Sequence, residues 1–280
     1  MTIPWWVKLC AKLILSRLPL RYAVWQRLGL FRHGCMDASG YAIQVFHSHV
    51  EKAGFKDKLP GKTVMEFGPG DSIASAIIAA AHGARAILVD AGCFVETDVV
   101  SYFELERVLS ENGLNINLSG CRNVDEILEH CNASYMTQGL ESLRKIEDSS
   151  VDLVFSQAVL EHVRRKDFQE TMRECRRILR PGGVCSHRVD LGDHLGGGLN
   201  NLRFSEMIWE SGFFANSGFY TNRFRYSEML DLFRQAGFQV RVTGVRRWEA
   251  LPTQRNKLAK AFSALPDDEL CISGFDVLLQ

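Results

Sequence analysis

The sequence predicts an α/β fold in which helices flank a mostly parallel sheet. The first observation is the segment 64–75, where an apolar run turns through Gly68 and Gly70 and continues into an Ala/Ile-rich stretch. The second is another apolar run, 86–89, that ends in Asp90. A strand, a tight turn and a helix, followed by a further strand, are typical of open α/β sheets.

The glycine turn indicates a binding site for a small polar ligand. Because Gly68 and Gly70 carry no side chain, a ligand can approach the backbone N–H groups at the start of the helix. A nicotinamide dinucleotide site would need a third glycine where Ile73 stands, and Glu66 would repel a pyrophosphate. The turn therefore predicts a nucleoside-like, positively charged ligand and makes an NAD-dependent oxidoreductase a distant alternative.

Asp90 is the predicted ribose ligand. It lies twenty residues after Gly70, at the tip of the next strand. An acid at this place can accept hydrogen bonds from both ribose hydroxyls. The alternative is an ordinary strand–helix turn followed by an ordinary loop acid, and the spacing of the two features favours the binding site.

Several segments together resemble one superfamily. Glu66-Phe67-Gly68-Pro69-Gly70 resembles motif I of the class I S-adenosylmethionine-dependent methyltransferases. Asp90, the segment 149–163 with its Leu-Glu-His sequence, and the Arg-Pro-Gly-Gly turn in 177–183 resemble later landmarks in the same order. The resemblance covers about residues 61–280 and is closest to the small-molecule type.

This resemblance implies a Rossmann-like seven-stranded sheet, mostly parallel with a C-terminal antiparallel strand, and an enzyme that uses S-adenosyl-L-methionine. Gln138 stands where related enzymes often hold the adenine amino group with an acid. Ala158 replaces a glutamate that binds a divalent metal in the ubiquinone-pathway relatives, so we expect no catalytic metal. The cofactor-binding residues that the resemblance implies are Glu66, Gly68, Gly70, Asp71, Asp90, Gln138 and Ser156.

The fifth predicted strand covers residues 184–189. The segment that follows it is the predicted acceptor region. Ligands bind at the carboxyl ends of strands in open α/β sheets. Glycines at 196–198 and several aromatic residues up to Tyr220 predict an acceptor lid over about 191–226, with a hinge and a stacking surface. The alternative is a local mini-core of aromatic side chains.

A hydroxyl acceptor must lose its proton, and histidine suits that task near neutral pH. His194 is the first candidate base, with Asp190 or Asp193 as its orienting partner. His162 is the second candidate. The alternative for each histidine is a structural role.

Composition limits the classes of partner. The chain has 280 residues, 46% hydrophobic and 24% charged, which suits one domain with decorations. Lys plus Arg equals Asp plus Glu at 33 each, so no basic field favours nucleic acid. The eight cysteines form no Cys-x-x-Cys pair, which fits a reducing cytoplasm and indicates no metal framework.

The N-terminal segment carries a separate signal. Residues 1–36 contain six basic residues and no acid, together with three tryptophans. A short basic amphipathic helix is expected from about Pro4, in an extension over 1–58 that precedes a catalytic domain over 59–280. Charged residues interrupt every apolar run of this segment before it reaches the roughly 20 residues that a membrane span needs. We therefore do not expect the segment to cross a membrane. It either caps the catalytic domain or binds anionic lipid, which predicts a cytoplasmic protein, free or peripheral to the inner membrane face.

The remaining elements are expected by periodicity. Helices are predicted over about 101–109 and 124–130, with the third strand near 133–136. Ser227 is the expected N-cap of a later helix that stops at Gly237. Two final strands are predicted over 238–245 and 273–279.

A second, weaker resemblance concerns the identity of the methyl acceptor. The segments 31–37, 66–72 and 189–194 look like those of bacterial methyltransferases of cell-surface polysaccharide synthesis. This resemblance implies O-methylation of a sugar hydroxyl on a nucleotide-linked or lipid-linked glycan. The alternatives are a secondary-metabolite O- or N-methyltransferase and a non-catalytic S-adenosylmethionine-binding protein.

Overall fold

Seven strands form one sheet in the computed structural model, which describes residues 4–17, 36–56, 58–96 and 98–280. The strand order is β3-β2-β1-β4-β5-β7-β6, and β7 is antiparallel to both of its neighbours while the other pairs are parallel. The predicted mostly parallel sheet with a C-terminal antiparallel strand is confirmed. The strands are β1 Thr63–Phe67, β2 Arg85–Val89, β3 Ser134–Met136, β4 Val151–Gln157, β5 Leu179–Asp190, β6 Val240–Arg247 and β7 Ile272–Leu279.

Helices precede, connect and follow these strands. In chain order they are α1 Trp5–Leu15, α2 Ser39–Lys52, α3 Ala74–Ala81, α4 Val100–Glu111, α5 Val124–His130, α6 Leu140–Leu143, α7 Arg165–Ile178, α8 Glu206–Trp209, α9 Gly212–Ala215, α10 Tyr226–Gln235, α11 Lys260–Ser263 and α12 Asp267–Leu270. Short 3₁₀ turns lie at Leu160–His162, Asn200–Arg203 and Arg255–Lys257. In the described part of the chain, no helix combines the length and the apolar character needed to cross a bilayer.

Both faces of the sheet are buried, which explains why the central strands are continuous apolar runs. Met65 and Val154 face one layer, which contains residues of α7 and α10. Val64 and Phe155 face the other layer, which contains residues of α2 to α5. The carboxyl ends of β1, β2, β4 and β5 therefore meet along one edge between two helical layers.

The predicted boundaries agree with the structure at α4, α5 and Gly237, but Ser227 is not an N-cap. Helix α10 begins at Tyr226, and Ser227 lies in its first turn. Its backbone N–H donates to Glu269 Oε1 at 2.8 Å, and its hydroxyl donates to Oε2 at 2.7 Å. A carboxylate from α12 thus satisfies a helix-terminal N–H that sequence reasoning assigned to a local side chain.

The Pro181-Gly182-Gly183 turn lies inside β5 rather than ahead of it. Val151 pairs with Leu179 and Leu153 pairs with Val184, so the turn is extra chain between two paired segments. Gly182 has φ +81°, in the left-handed region that favours glycine. The strand resumes after this irregularity and continues to Asp190 at the carboxyl edge.

Several N-terminal residues of the basic pattern lie outside the described residues. They are Pro19, Arg21, Trp25, Arg27, Arg32 and the segment 31–34. The described part begins at Pro4, where a helix start was predicted, and α1 follows at once.

Asp152 joins the amino ends of three strands. This residue of β4 is buried and accepts hydrogen bonds from Lys62 Nζ at 3.0 Å and from the Thr63 backbone N–H at 2.9 Å. Arg180 of β5 donates to Asp152 Oδ2 at 2.5 Å. The carboxylate therefore holds β1, β4 and β5 in register at the edge opposite the glycine turn.

We expect Asp152→Ala to lower the free energy of unfolding by about 2–3 kcal/mol, because it leaves two cations and a backbone N–H without their acceptor. Chemical denaturation measures the change. Asp148→Ala is the matched control, since Asp148 pairs with Arg177 while its side chain is 78% exposed, and its effect should be close to zero. Equal effects of the two substitutions would contradict the assignment.

Candidate functional site

The glycine turn after β1 is shaped by a close approach. Gly68 has φ +79° and Gly70 has φ +66°, both in the left-handed region. The Gly68 N–H donates to the Val89 carbonyl oxygen at 2.8 Å. A Cβ at Gly68 would lie 2.5 Å from Val159 Cγ2, so a larger residue does not fit there.

Asp90 joins this turn to the ends of two more strands. Its Oδ2 accepts from the Gly70 N–H at 3.0 Å, and its Oδ1 accepts from the Ala91 N–H at 2.7 Å. Its backbone N–H donates to Met136 of β3. A carboxylate can accept about four hydrogen bonds, so these contacts are compatible with a ribose at the same group.

Glu66 is buried, although its charge led us to expect it at the solvent-exposed entrance of the ligand site. It lies on β1 between Leu88 and Phe155, with 2% of its surface exposed. Its Oε2 has no hydrogen-bond partner among the described residues. Burial, reinforced by the charge of Asp90, raises the pKa of Glu66 to about 8. The carboxyl is therefore mostly protonated at neutral pH until a cation or donor reaches it.

Two other predicted cofactor ligands lie close along the chain to the turn or to a residue that contacts Asp90. Asp71 is buried directly after Gly70. Gln138 is one residue from Gly139, whose N–H donates to the Asp90 carbonyl oxygen at 2.7 Å, while the Gln138 side chain accepts from Lys145. Gln138 therefore lies at the same edge as Asp90.

Ser156 is turned toward β5. It is fully buried on β4, and its hydroxyl is 2.7 Å from His187 Nδ1. Burial, with a smaller contribution from His49, lowers the pKa of His187 to about 3. Sequence reasoning missed this pair, although the facing positions of the two residues in parallel strands are a usable signal.

The two candidate bases are brought together. His162 lies in the 3₁₀ turn after β4 and His194 in the loop after β5, with their rings stacked at 4.8 Å and 20°. His162 Nδ1 is 2.8 Å from the Tyr220 carbonyl oxygen. Because a carbonyl oxygen only accepts, this contact places the proton of the neutral ring on Nδ1 and leaves Nε2 basic.

The surroundings of His194 favour its neutral form. Its Nε2 is buried and has no hydrogen-bond partner in the described part of the chain. Burial lowers the pKa of His194, and the charge of Lys12 adds to this against the opposing charge of Asp190. The Lys12 ammonium donates to the His194 carbonyl oxygen at 3.1 Å, a contact between residues 182 positions apart that no local pattern predicts.

Asp193 organises the loop through the hydrogen bonds of its carboxylate. Its Oδ1 accepts from the backbone N–H groups of Leu195, Gly196 and Gly197, and its Oδ2 accepts from the backbone and side chain of Asn200. These five donors occupy the carboxylate. They are adjacent in sequence and turn the glycine segment around one buried acid.

Asp190 belongs to a second acidic pair. Its Oδ1 accepts from the Gly192 N–H at 2.8 Å, and its backbone N–H is 3.3 Å from Glu161 Oε1. Burial and the charge of Asp190 raise the pKa of Glu161 well above its ordinary value. In the described residues, no group of three or more His, Cys, Asp or Glu is arranged to hold a metal ion.

One family model matches the part of the chain that contains the glycine turn. Residues 65–186 match the model described as a methyltransferase domain. This segment also contains Asp90 and the Leu-Glu-His sequence, within a sheet of order β3-β2-β1-β4-β5-β7-β6. The match spans less than half of the chain.

Solved structures of methyltransferases resemble the chain at low identity. A phosphoethanolamine N-methyltransferase 2 from Haemonchus contortus, in complex with phosphomonomethylethanolamine and S-adenosylhomocysteine, is 20% identical over 65% of this chain and 35% of its own, with TM-score 0.39. An arsenic(III) methyltransferase from Chlamydomonas reinhardtii is 17% identical, over 79% and 62%, with TM-score 0.44. A methyltransferase from Methanosarcina mazei is 17% identical, over 79% and 92%, with TM-score 0.46. The chain thus spans about a third of the first of these proteins and less than two thirds of the second.

A comparison with curated proteins finds no match to this chain.

The aromatic residues of the predicted lid form a mini-core. Trp209 is fully buried and Tyr220 is 5% exposed, and they pack with Phe204 and Phe214. Leu9 of α1 is part of this cluster. The expected stacking surface is wrong for these side chains, because α1 covers them and they bury one another.

A cavity of about 860 Å³ lies beside this cluster. Arg165, Phe204, Arg223, Phe262 and Leu232 are among the residues that line it, and none of the predicted cofactor or catalytic residues does. The cavity is therefore separate from the glycine turn and from the histidine pair.

We expect Gly68→Ala to weaken binding of S-adenosylhomocysteine by tenfold or more, because its Cβ would displace Val159 beside the turn. Isothermal titration calorimetry measures the dissociation constant. Gly182→Ala is the matched control: its φ of +81° imposes the same backbone strain of about 1–2 kcal/mol, but nothing lies within 4 Å of its added Cβ. Unchanged affinity in Gly68→Ala would contradict the role of the turn.

Proposed function

We propose that this protein is an S-adenosylmethionine-dependent methyltransferase that O-methylates a sugar hydroxyl of a nucleotide-linked or lipid-linked glycan. The observation that supports an oxygen acceptor is the stacked pair His162 and His194 at the carboxyl ends of β4 and β5. A sugar hydroxyl is a weak acid, so its attack on a methyl group needs a proton acceptor close by. A neutral, buried imidazole meets that requirement.

The residues of the turn fit the cofactor. In this proposal Gly68 and Gly70 allow its close approach, Asp90 accepts from the ribose hydroxyls, and Glu66 offers its unpartnered buried oxygen to the amino group of the methionine portion. The backbone beside Gln138, at the end of β3, is placed next to Asp90 and suits the adenine.

Asp71, directly after Gly70, completes the proposed set, whereas the Ser156 hydroxyl is buried against His187. S-adenosylmethionine, when bound, supplies a methyl group that its positive sulfur already activates. The protein therefore has to align the acceptor and remove its proton.

The proton has a defined destination in this arrangement. His194 Nε2 is the unpartnered nitrogen and is the proposed acceptor of the hydroxyl proton. The charge of Asp190 stabilises the protonated ring, whereas burial and Lys12 oppose it. Because the net pKa is lowered, His194 releases the proton again after each turnover. His162, held by the Tyr220 carbonyl oxygen, positions the stacked ring.

Hydrogen-bonding groups at the same edge favour a polyhydroxyl acceptor over a flat one. Gln157, the last residue of β4, donates to Tyr41 at 3.3 Å and lies 3.2 Å from His49. Tyr41 is 39% exposed, whereas Trp209 and Tyr220 are buried. The buried aromatic residues offer no stacking face to a phenol or polyketide, which weighs against the secondary-metabolite alternative.

The acceptor class is tested by transfer of radiolabelled methyl from S-adenosylmethionine into a bacterial extract that is then separated into lipid-linked glycan, soluble nucleotide-sugar and other metabolite fractions. We expect label in a glycan or nucleotide-sugar fraction, and its loss with Asp90→Ala. Label confined to other small metabolites would refute the sugar acceptor and favour the secondary-metabolite alternative.

We expect kcat/KM for methyl transfer to rise with pH to a plateau, with a midpoint below the ordinary histidine value of about 6.5, because the pKa of His194 is lowered. His194→Gln should lower kcat by about 100-fold or more and remove this limb. His130→Gln, at an exposed histidine of α5, is the control and should behave as the wild type.

If His194→Gln keeps the wild-type kcat and the rise of kcat/KM with pH, His194 is not the base. If His162→Gln loses this rise instead, the role of base belongs to His162.

A further inference from the structure

Helix α1 is apolar on two sides. On the inner side, Leu9 is 7% exposed and packs with Trp5 and Leu13 into the aromatic cluster of the lid. On the outer side, Trp6 is 57% exposed and Ile14 is 66% exposed. An 11-residue helix that only capped the domain would need one apolar side, so the second side requires an explanation.

The outer residues form a continuous stripe. Trp6, Cys10 and Ile14 are exposed and spaced four residues apart, which places them on one side of the helix. Arg17 follows Ile14 by three residues, and its guanidinium lies 3.7 Å from the ring centre of Phe213. Phe213 is itself 54% exposed. We call Trp6, Cys10, Ile14 and Phe213 the outer face.

The charged residues on α1 and directly after it are all basic. The charged residues within 4–17 are Lys8, Lys12 and Arg17, and residues 1–36 contain no acid in a chain whose net charge is zero. Apolar residues with a tryptophan, flanked by cations, match the boundary between the headgroups and acyl chains of an anionic membrane. A second copy of this face would bring like charges together, so self-association fits less well.

We propose that the outer face docks on the surface of an anionic lipid bilayer, with α1 lying in the plane of the interface. Trp6 and Ile14 bury their side chains among the lipids, and Arg17 lies at the level of the acidic headgroups. The inner side of the same helix meets the lid, and Lys12 donates to the His194 carbonyl oxygen. Docking therefore brings the candidate acceptor site to the membrane, a consequence that rests on the proposed function.

Co-sedimentation of the full chain with vesicles tests the docking. We expect binding to vesicles of phosphatidylcholine mixed with phosphatidylglycerol, and little binding to phosphatidylcholine alone. Trp6→Ser with Ile14→Ser should weaken binding by tenfold or more, because two apolar side chains no longer enter the interface. Val100→Ser is the matched control, since Val100 is 68% exposed on α4 and outside the outer face.

Charge is tested separately. Arg17→Gln should lower binding to the anionic vesicles, and so should added salt. Lys56→Gln, at a lysine whose side chain is 70% exposed outside α1, is the control for loss of one cation. Thermal unfolding of each variant checks that the substitutions at these exposed positions leave the fold intact.

Three results would overturn the proposal. They are no binding to any vesicle, equal binding of the wild type and the Trp6→Ser/Ile14→Ser variant, or a concentration-dependent dimer that this variant abolishes. The vesicles contain neither acceptor nor cofactor, so binding without any glycan methylation would retain the docking site and reject the acceptor. Glycan methylation without vesicle binding would do the reverse.

Discussion

The hydrogen bond between the Gly70 N–H and the Asp90 carboxylate, at 3.0 Å, is the contact on which the candidate site depends. It holds the turn after β1 against the end of β2. The backbone of Asp90 continues the connection, since its N–H donates to Met136 and its carbonyl oxygen accepts from the Gly139 N–H. Three strand ends therefore meet at one residue, and the acid that suits a ribose is held in place before any ligand binds. Preorganisation of this kind reduces the entropy that binding must overcome.

Burial gives the ionisable groups of the site their properties. Glu66 and Glu161 are each 2% exposed and beside an aspartate, so both hold their protons more tightly than free glutamates do. Burial acts in the opposite direction on His194, which it keeps neutral. One desolvated edge thus provides a carboxyl that ionises when a cation approaches and an imidazole that can accept a proton. The helix α1 contributes to this by covering the lid on one side and contacting the His194 backbone through Lys12.

The sequence predicted the parts of the fold and site that are local. The placement of Gly68, Gly70 and Asp90 at one turn was predictable because it follows from a strand–turn–helix pattern and one fixed spacing. The stacking of His162 on His194 was not, since it depends on how two separate loops leave β4 and β5. The aromatic residues of 191–226 could be read as a surface or as a mini-core, and only the position of α1 decides between them. The prediction of Ser227 as the N-cap of α10 was wrong for a similar reason. The Ser227 N–H finds its acceptor in Glu269, 42 residues away.

The central claim is that the glycine turn and the histidine pair form one site. A crystal structure of the protein with S-adenosylhomocysteine tests it most directly. The account predicts that the ribose hydroxyls bind Asp90 and that the sulfur faces the space beside His194 and His162. A ligand bound through the turn with its sulfur directed away from both histidines would contradict the account, and so would a ligand bound in the cavity lined by Arg223 and Phe262.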